Sequence, residues 1–152
     1  MTEEIKFIGY DHPDFELVKR IRTEVFTNEQ GADANGEFDC YDSTAQFALF
    51  FENGNAVGTA RIADTEQGVK IGRIAIVKAC RGKGYGTVIV KAVTQKAFEQ
   101  GARRVLVDAQ NYAVPFYEKL GFTVIGAEIK DRGLPHIPMC ISKEIFYGEK
   151  QK

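Results

Sequence analysis

At 152 residues, 44% hydrophobic and 27% charged, the chain has enough apolar material for one substantial core and too little length for two ordinary domains, so one domain over residues 1–152 is expected. Its 20 basic and 21 acidic residues leave a formal charge of -1, which removes any overall electrostatic reason to expect nucleic acid as a partner. No apolar run approaches the roughly 20 residues that span a bilayer, the chain opens on Glu3 and Glu4 rather than on a basic leader, and Cys40, Cys80 and Cys140 are scattered and odd in number; a cytoplasmic protein with no membrane segment, disulfide framework or metal site is expected.

In chain order, residues 6–10 predict a first strand. Asp11, Pro13 and Asp14 supply an N-cap and a first-turn proline for a helix striped by Leu17, Ile21 and Val25, which should stop near Gln30 and Gly31. Residues 32–44 carry Asp33, Asn35, Gly36, Asp39 and Asp42 with little periodicity and read as a loop or irregular short helix, either a plain connection or a substrate-facing element. Residues 46–51 and 56–62 predict two strands joined through the Asn53-Gly54 turn, and residues 69–77 a third after Gly68. Ile89, Val93 and Ala97 then recur at helical spacing up to Gly101. Residues 103–108 read as a buried strand, 113–120 as a short helix stopped by Gly121, 122–125 as a strand and 141–146 as the last strand, with Pro135 and Pro138 excluding continuous helix before it. The order predicts a mixed α/β layered fold.

Between the strand ending at Val77 and the helix of Ile89 stands Arg81–Gly82–Lys83–Gly84–Tyr85–Gly86. Glycines at alternate positions let main chain approach a ligand, and the free N–H groups of a helix N-terminus can hold phosphate oxygens. Arg81 and Lys83 add charge beside that nest. The segment lacks the Gly-Lys-Ser/Thr of a Walker loop. It also lacks the spacing and first-strand position of a dinucleotide fingerprint.

This segment resembles the Arg/Gln-x-x-Gly-x-Gly/Ala motif of the GNAT N-acetyltransferase superfamily, and residues 72–77 resemble that superfamily's fourth strand. A second stretch, residues 108–122, resembles its cofactor-side helix and its Phe-Tyr-x-x-x-Gly-Phe signature, here Phe116–Tyr117 and Gly121–Phe122. The resemblance implies a three-layer fold whose central sheet is mixed, mostly antiparallel and bulged in its fourth strand. It implies that acetyl-CoA is the cosubstrate, with Ile74 and Ile76 holding the pantetheine arm by their backbones. Residues Gly82, Lys83, Gly84, Tyr85 and Gly86, with Arg81, would then hold the pyrophosphate, Asn111 would touch the CoA arm and Tyr117 would lie near the sulfur. The segments Arg22–Phe26, Glu29–Gln30 and Gly133–Met139 resemble the bacterial ElaA/YjcF-like branch, which implies a small-molecule amine acceptor.

A thioester is already activated, so such an enzyme needs alignment of a neutral amine, room for a tetrahedral intermediate and proton management, with no covalent nucleophile and no metal. Tyr117 is the expected general acid for the departing thiolate, with aromatic packing as its alternative role. Glu29 and His136 are candidate bases, directly or through water; His136 is also a candidate for acceptor binding or a structural hydrogen bond. Asp108 can orient the amine or cap a helix. Arg22, Arg61 and Arg73 can position an acidic part of the acceptor or cover apolar surface. A CoA-responsive regulatory module and a peptide or protein acetyltransferase stand as alternatives, and the late hydrophobic strands permit a homodimer.

Overall fold

In the computed structural model, residues 2–32 and 37–148 are described. Eight strands form one sheet in the order β1-β2-β3-β4-β5-β8-β6, with β7 paired to β8. The strands are β1 Glu3–Gly9, β2 Gln46–Glu52, β3 Asn55–Thr65, β4 Gly68–Ile76, β5 Arg104–Gln110, β6 Thr123–Val124, β7 Ile129–Asp131 and β8 Leu134–Ser142. All neighbours are antiparallel except β4 and β5. Those two are joined by the crossover helix α2, Tyr85–Glu99, because parallel partners need a long connection.

β2 shows why the fold has three layers. Phe47 and Leu49 enter one core with Ile8, Val18, Ile21 and Val25, while Ala48 and Phe50 enter the other with Ile71, Ile89, Val93 and Phe98. A strand apolar at every position from Phe47 to Phe51 needs cover on both faces. Helix α1, Phe15–Arg22, supplies it on one side and α2 on the other. The mixed, mostly antiparallel sheet between helices matches the predicted class.

Local chemistry sets the turns. Asn53 and Gly54 both take positive φ (51° and 84°) in a two-residue hairpin, as the Asn-Gly pair predicts, and Arg132 with Gly133 (52° and 81°) makes a second such turn between β7 and β8. Helix α1 runs on as a π-helical segment, Thr23–Glu29. Asp14 occupies its N-cap without capping: the Asp14 carboxylate pairs with Lys6 at 2.7 Å, and its N–H donates to His12 Nδ1 at 2.9 Å. Of the predicted loop 32–44, Asp33, Asn35 and Gly36 lie outside the described residues, and Asp42–Thr44 forms a 3-10 turn.

The C-terminal third differs most from expectation. The last strand is Leu134–Ser142, and Lys143–Tyr147 is a helix, α4, not the predicted continuation of strand to Phe146. Both prolines lie within β8: they forbid helix, but Pro138 still pairs with Asp108 and its carbonyl accepts from Ile125 N–H. Ser142 caps α4 by accepting from Ile145 N–H at 3.2 Å, and Phe146 packs on Phe98 from that helix. Of the predicted 122–125 strand, Thr123–Val124 forms β6 and Ile125 keeps one hydrogen bond to β8, while Phe122 turns into the core. The predicted helix 113–120 is observed as α3, Val114–Lys119, preceded by a 3-10 turn, Asn111–Ala113.

Candidate active site

Two features of β4 open the sheet. Thr59 pairs with Ala75 and Arg61 with Gly72, so Arg73 and Ile74 together oppose Ala60: a β-bulge, with Arg73 at φ 49°. This is the bulged fourth strand expected from resemblance. On its other side β4 pairs with β5 only at Lys70↔Leu106 and Ile71↔Val107. Beyond those pairs the strands part, and a cleft of about 620 Å³ occupies the gap. Ile74 and Gly72 line one wall, Val107 and Gln110 the other, and Phe116 and Tyr117 the side toward α3.

At the end of β4 the chain passes through a 3-10 turn, Lys78–Cys80, into the glycine-rich loop. Gly82 and Gly84 have φ of 81° and 82°, and a Cβ on either would meet nothing within 4 Å. Glycine is therefore required for conformation rather than space. Gly84 is the N-cap of α2, whose first turn leaves N–H groups without intrahelical partners. Gly86 sits under Phe116, 3.7 Å from an added Cβ, so the start of α2 packs against a residue of α3 that lines the cleft.

The two loop cations are held from outside. Arg81 makes a bidentate pair with Glu29, at 2.7 Å through Nη2, and its Nε donates to Ile76 O at 2.9 Å. Lys83 pairs with Glu52 at 2.9 Å, and the Tyr85 hydroxyl donates to the same carboxylate. The Tyr85 ring is buried against Phe50, so its expected contact with CoA falls to its backbone. Hydrogen bonding from Arg81 holds the Glu29 carboxyl below the ordinary carboxylate range. A carboxylate stabilised in that way is a poor proton acceptor. Gln30 adds a tie to the opposite wall: its Oε1 accepts from Gln110 at 3.0 Å and its Nε2 donates to the Tyr112 hydroxyl at 3.3 Å. Adjacent residues at the end of the π-helical segment thus brace both sides of the cleft.

Tyr117 is 6% exposed and stacks edge-on with Phe116 and Phe122. Burial, with a smaller effect of Tyr112, pushes its phenol well above the ordinary value. Asn111 stands exposed at the start of its 3-10 turn, outside the cleft lining. His136 and Asp108 both line the cleft from paired strands. His136 Nδ1 lies 2.9 Å from Leu134 O; a carbonyl only accepts, so Nδ1 donates and a neutral ring keeps Nε2 as acceptor. Asp108 is paired with Lys70 at 2.9 Å.

Beyond these residues lies an ionic wall. Arg22, expected at the acceptor, is fully enclosed: Nε donates to Glu37 at 2.8 Å and Nη1 to Asp42 at 2.9 Å. Arg61 and Arg73 do line the cleft. Arg61 donates to Asp39 at 2.7 Å and Asp42 at 3.0 Å, and Arg73 to Asp39 at 3.2 Å. Glu37, Glu52 and Arg132 escaped the sequence reading, and Asp42 entered it only as a loop residue. An acid-rich run reads as solvated loop until its partners are known, although arginines inside the otherwise apolar strands around Arg61 and Arg73 were a usable signal.

A strand pair thus parts around a bulge next to a glycine-lined helix N-terminus. The sequence matches the acetyltransferase (GNAT) domain family over residues 11–143, and the chain belongs to that family. It is 34% identical over 120 residues to the uncharacterized N-acetyltransferase YjcF of Bacillus subtilis (strain 168), covering 78% of this chain and 86% of that one. In fold it is similar to ElaA of Escherichia coli (TM-score 0.81, 24% identity, 93% and 100% of the two chains) and to an acyl-CoA N-acyltransferase of Pseudomonas aeruginosa (TM-score 0.82, 25% identity, 93% and 100%).

Proposed function

We propose that the protein transfers an acetyl group from acetyl-CoA to the primary amine of a small molecule, by direct attack in a ternary complex. The carrying observation is the enclosed phenol of Tyr117 lining the gap between β4 and β5. Ile74 and Ile76 main-chain groups would hold the pantetheine arm, and the N–H groups from Gly82 to Gly86 the pyrophosphate. The ElaA/YjcF-like kinship we infer favours a small acceptor.

His136 Nε2 takes a proton from the amine as the C–N bond forms, and β4 main-chain N–H groups beside the bulge offset charge on the carbonyl oxygen. The C–S bond then breaks and the Tyr117 hydroxyl gives its proton to the departing sulfur. His136 is favoured over Glu29 as the base because it lines the cleft while Glu29 does not, and because hydrogen bonding from Arg81 lowers the basicity of the Glu29 carboxylate. A turnover screen over amino sugars, polyamines, amino acids, aminoglycosides and peptide amines, read by intact mass, tests the reading. A product one acetyl group heavier supports it. Saturable CoA binding without any product would instead indicate a CoA-responsive regulatory module.

A further inference from the structure

Three side chains of the glycine loop converge on one carboxylate from a distant hairpin. Cys80, Lys83 and Tyr85 stand before, between and after Gly82 and Gly84. Lys83 Nζ donates to Glu52 at 2.9 Å, the Tyr85 hydroxyl donates to the same oxygen, and Cys80 Sγ lies 3.7 Å from the other. Glu52 is 28 to 33 residues away from these partners in the chain, and its side chain is only 15% exposed. Gly82 and Gly84 have no side chains to anchor them, and glycine loses more freedom on ordering than any other residue. The order of the loop must therefore come from the residues around them.

Glu52 stands on a firm base. It ends β2, where it pairs with Glu3 of β1 and with Asn55 of β3. The next residue, Asn53, exchanges two hydrogen bonds with Thr2, at 2.8 and 2.9 Å. Two acids facing each other across strands destabilise a sheet, so the pairing of β1 with β2 does not account for a glutamate at this position. Its partners in the loop do. Hydrogen bonds from Tyr85 first and Lys83 second hold the Glu52 carboxyl below its ordinary range, and Glu52 in turn raises the Lys83 pKa. Arg81 turns the other way, to Glu29 and to Ile76 O. The main chain at Gly82 and Gly84 is thus suspended between ties on two sides.

An acid would repel a phosphate that it touched, so any contribution of Glu52 to anion binding runs through the loop. Deepening the proposed transfer reading and resting on it, we propose that Glu52 is a positioning residue for the phosphate-binding loop: by gripping Lys83 and Tyr85 it holds the N–H groups from Gly82 to Gly86 in the arrangement that receives the pyrophosphate of CoA, without itself touching the ligand. A receptor fixed in advance leaves less ordering to be done on binding.

The test compares the full chain with Glu52→Ala and with Glu52→Gln, which keeps an acceptor for the Tyr85 hydroxyl and loses the charge. Amide exchange of the ligand-free chains and the calorimetric Kd for CoA are read together, with the melting temperature showing which variants remain folded. In Glu52→Ala, exchange at Gly82, Lys83 and Gly84 is expected to quicken while that of β5 stays as in the parent chain, and CoA affinity is expected to fall about five- to tenfold, the scale of a lost charge-assisted contact. Glu52→Gln should recover part of both. If Glu52→Ala does not fold, smaller changes in the same directions are expected in Glu52→Gln. An unchanged Kd in a folded variant overturns the proposal, as does weaker binding with loop exchange unaltered. Tighter binding also overturns it, since Glu52 would then be holding Lys83 back from the phosphates. Absence of CoA binding by the parent chain would remove the transfer reading and this proposal together, whereas parent binding that both variants keep removes this proposal alone.

Discussion

In the proposed transfer, Tyr117 is the residue on which the chemistry most depends. A phenol enclosed among Phe116, Phe122 and the cleft wall keeps its proton above the ordinary value near 10. Tyr117→Phe removes the hydroxyl and little of the packing, so kcat is expected to fall roughly 100-fold while the calorimetric Kd for CoA stays within about twofold. Because the phenol is raised, its deprotonation should produce no loss of kcat below about pH 10. Asp42 makes a separate prediction about stability. Burial alone would raise its pKa, but hydrogen bonds and charge from Arg22 and Arg61 outweigh this and hold it below the usual carboxylate value. A folded-state pKa lower than the unfolded one contributes stability that is complete above the unfolded value near 3.9 and is lost as pH falls through the folded value. The melting temperature should therefore drop below about pH 4. Asp42→Asn, which takes a counter-charge from buried Arg22, should cost about 3–5 kcal/mol by urea unfolding at pH 7 and flatten that acid dependence.

Among the elements, the end of the first helix carries a role that sequence spacing did not show. Glu29 grips Arg81 on the loop side of the cleft and Gln30 ties to Gln110 and Tyr112 on the other. Glu29→Gln should therefore shift the Kd for CoA several-fold and leave kcat within about twofold, the magnitude of a partly exposed ion pair. The opposite split, an unchanged Kd with a large loss of kcat, would return Glu29 to the role of base. Gly121, after α3, has φ 106°, and an added Cβ would meet Ile141 at 3.0 Å; Gly121→Ala should destabilise by about 1–2 kcal/mol in urea unfolding. The hairpins β2-β3 and β3-β4, the loop and α2 were legible because their signals are local: an Asn-Gly turn, alternation, then a change to helical spacing. Where β8 ends and α4 begins was not. Ile141, Ile145 and Phe146 fall in one stretch read as strand, and its division depends on a Ser142 cap and on Phe98, distant in sequence. Likewise the site's ionic wall needs Glu37 to meet Arg132, 95 residues away, and no local pattern records that.

For the molecule as a whole, function follows from one departure from regularity. A sheet covered on both faces would normally be closed between β4 and β5; here a bulge at Arg73 and Ile74 and the end of pairing after Ile71 and Val107 leave main-chain groups of β4 facing a cavity. The same strand leads directly into the glycine loop and α2, so under the proposed function consecutive segments would read the thioester and phosphate ends of one extended ligand. Amide hydrogen exchange with and without saturating CoA tests this most directly. The account predicts slowed exchange in residues 72–77 of β4 and in Gly82, Gly84 and Gly86, with little change in β1. Tight CoA binding that leaves both of those segments exchanging as before would contradict it.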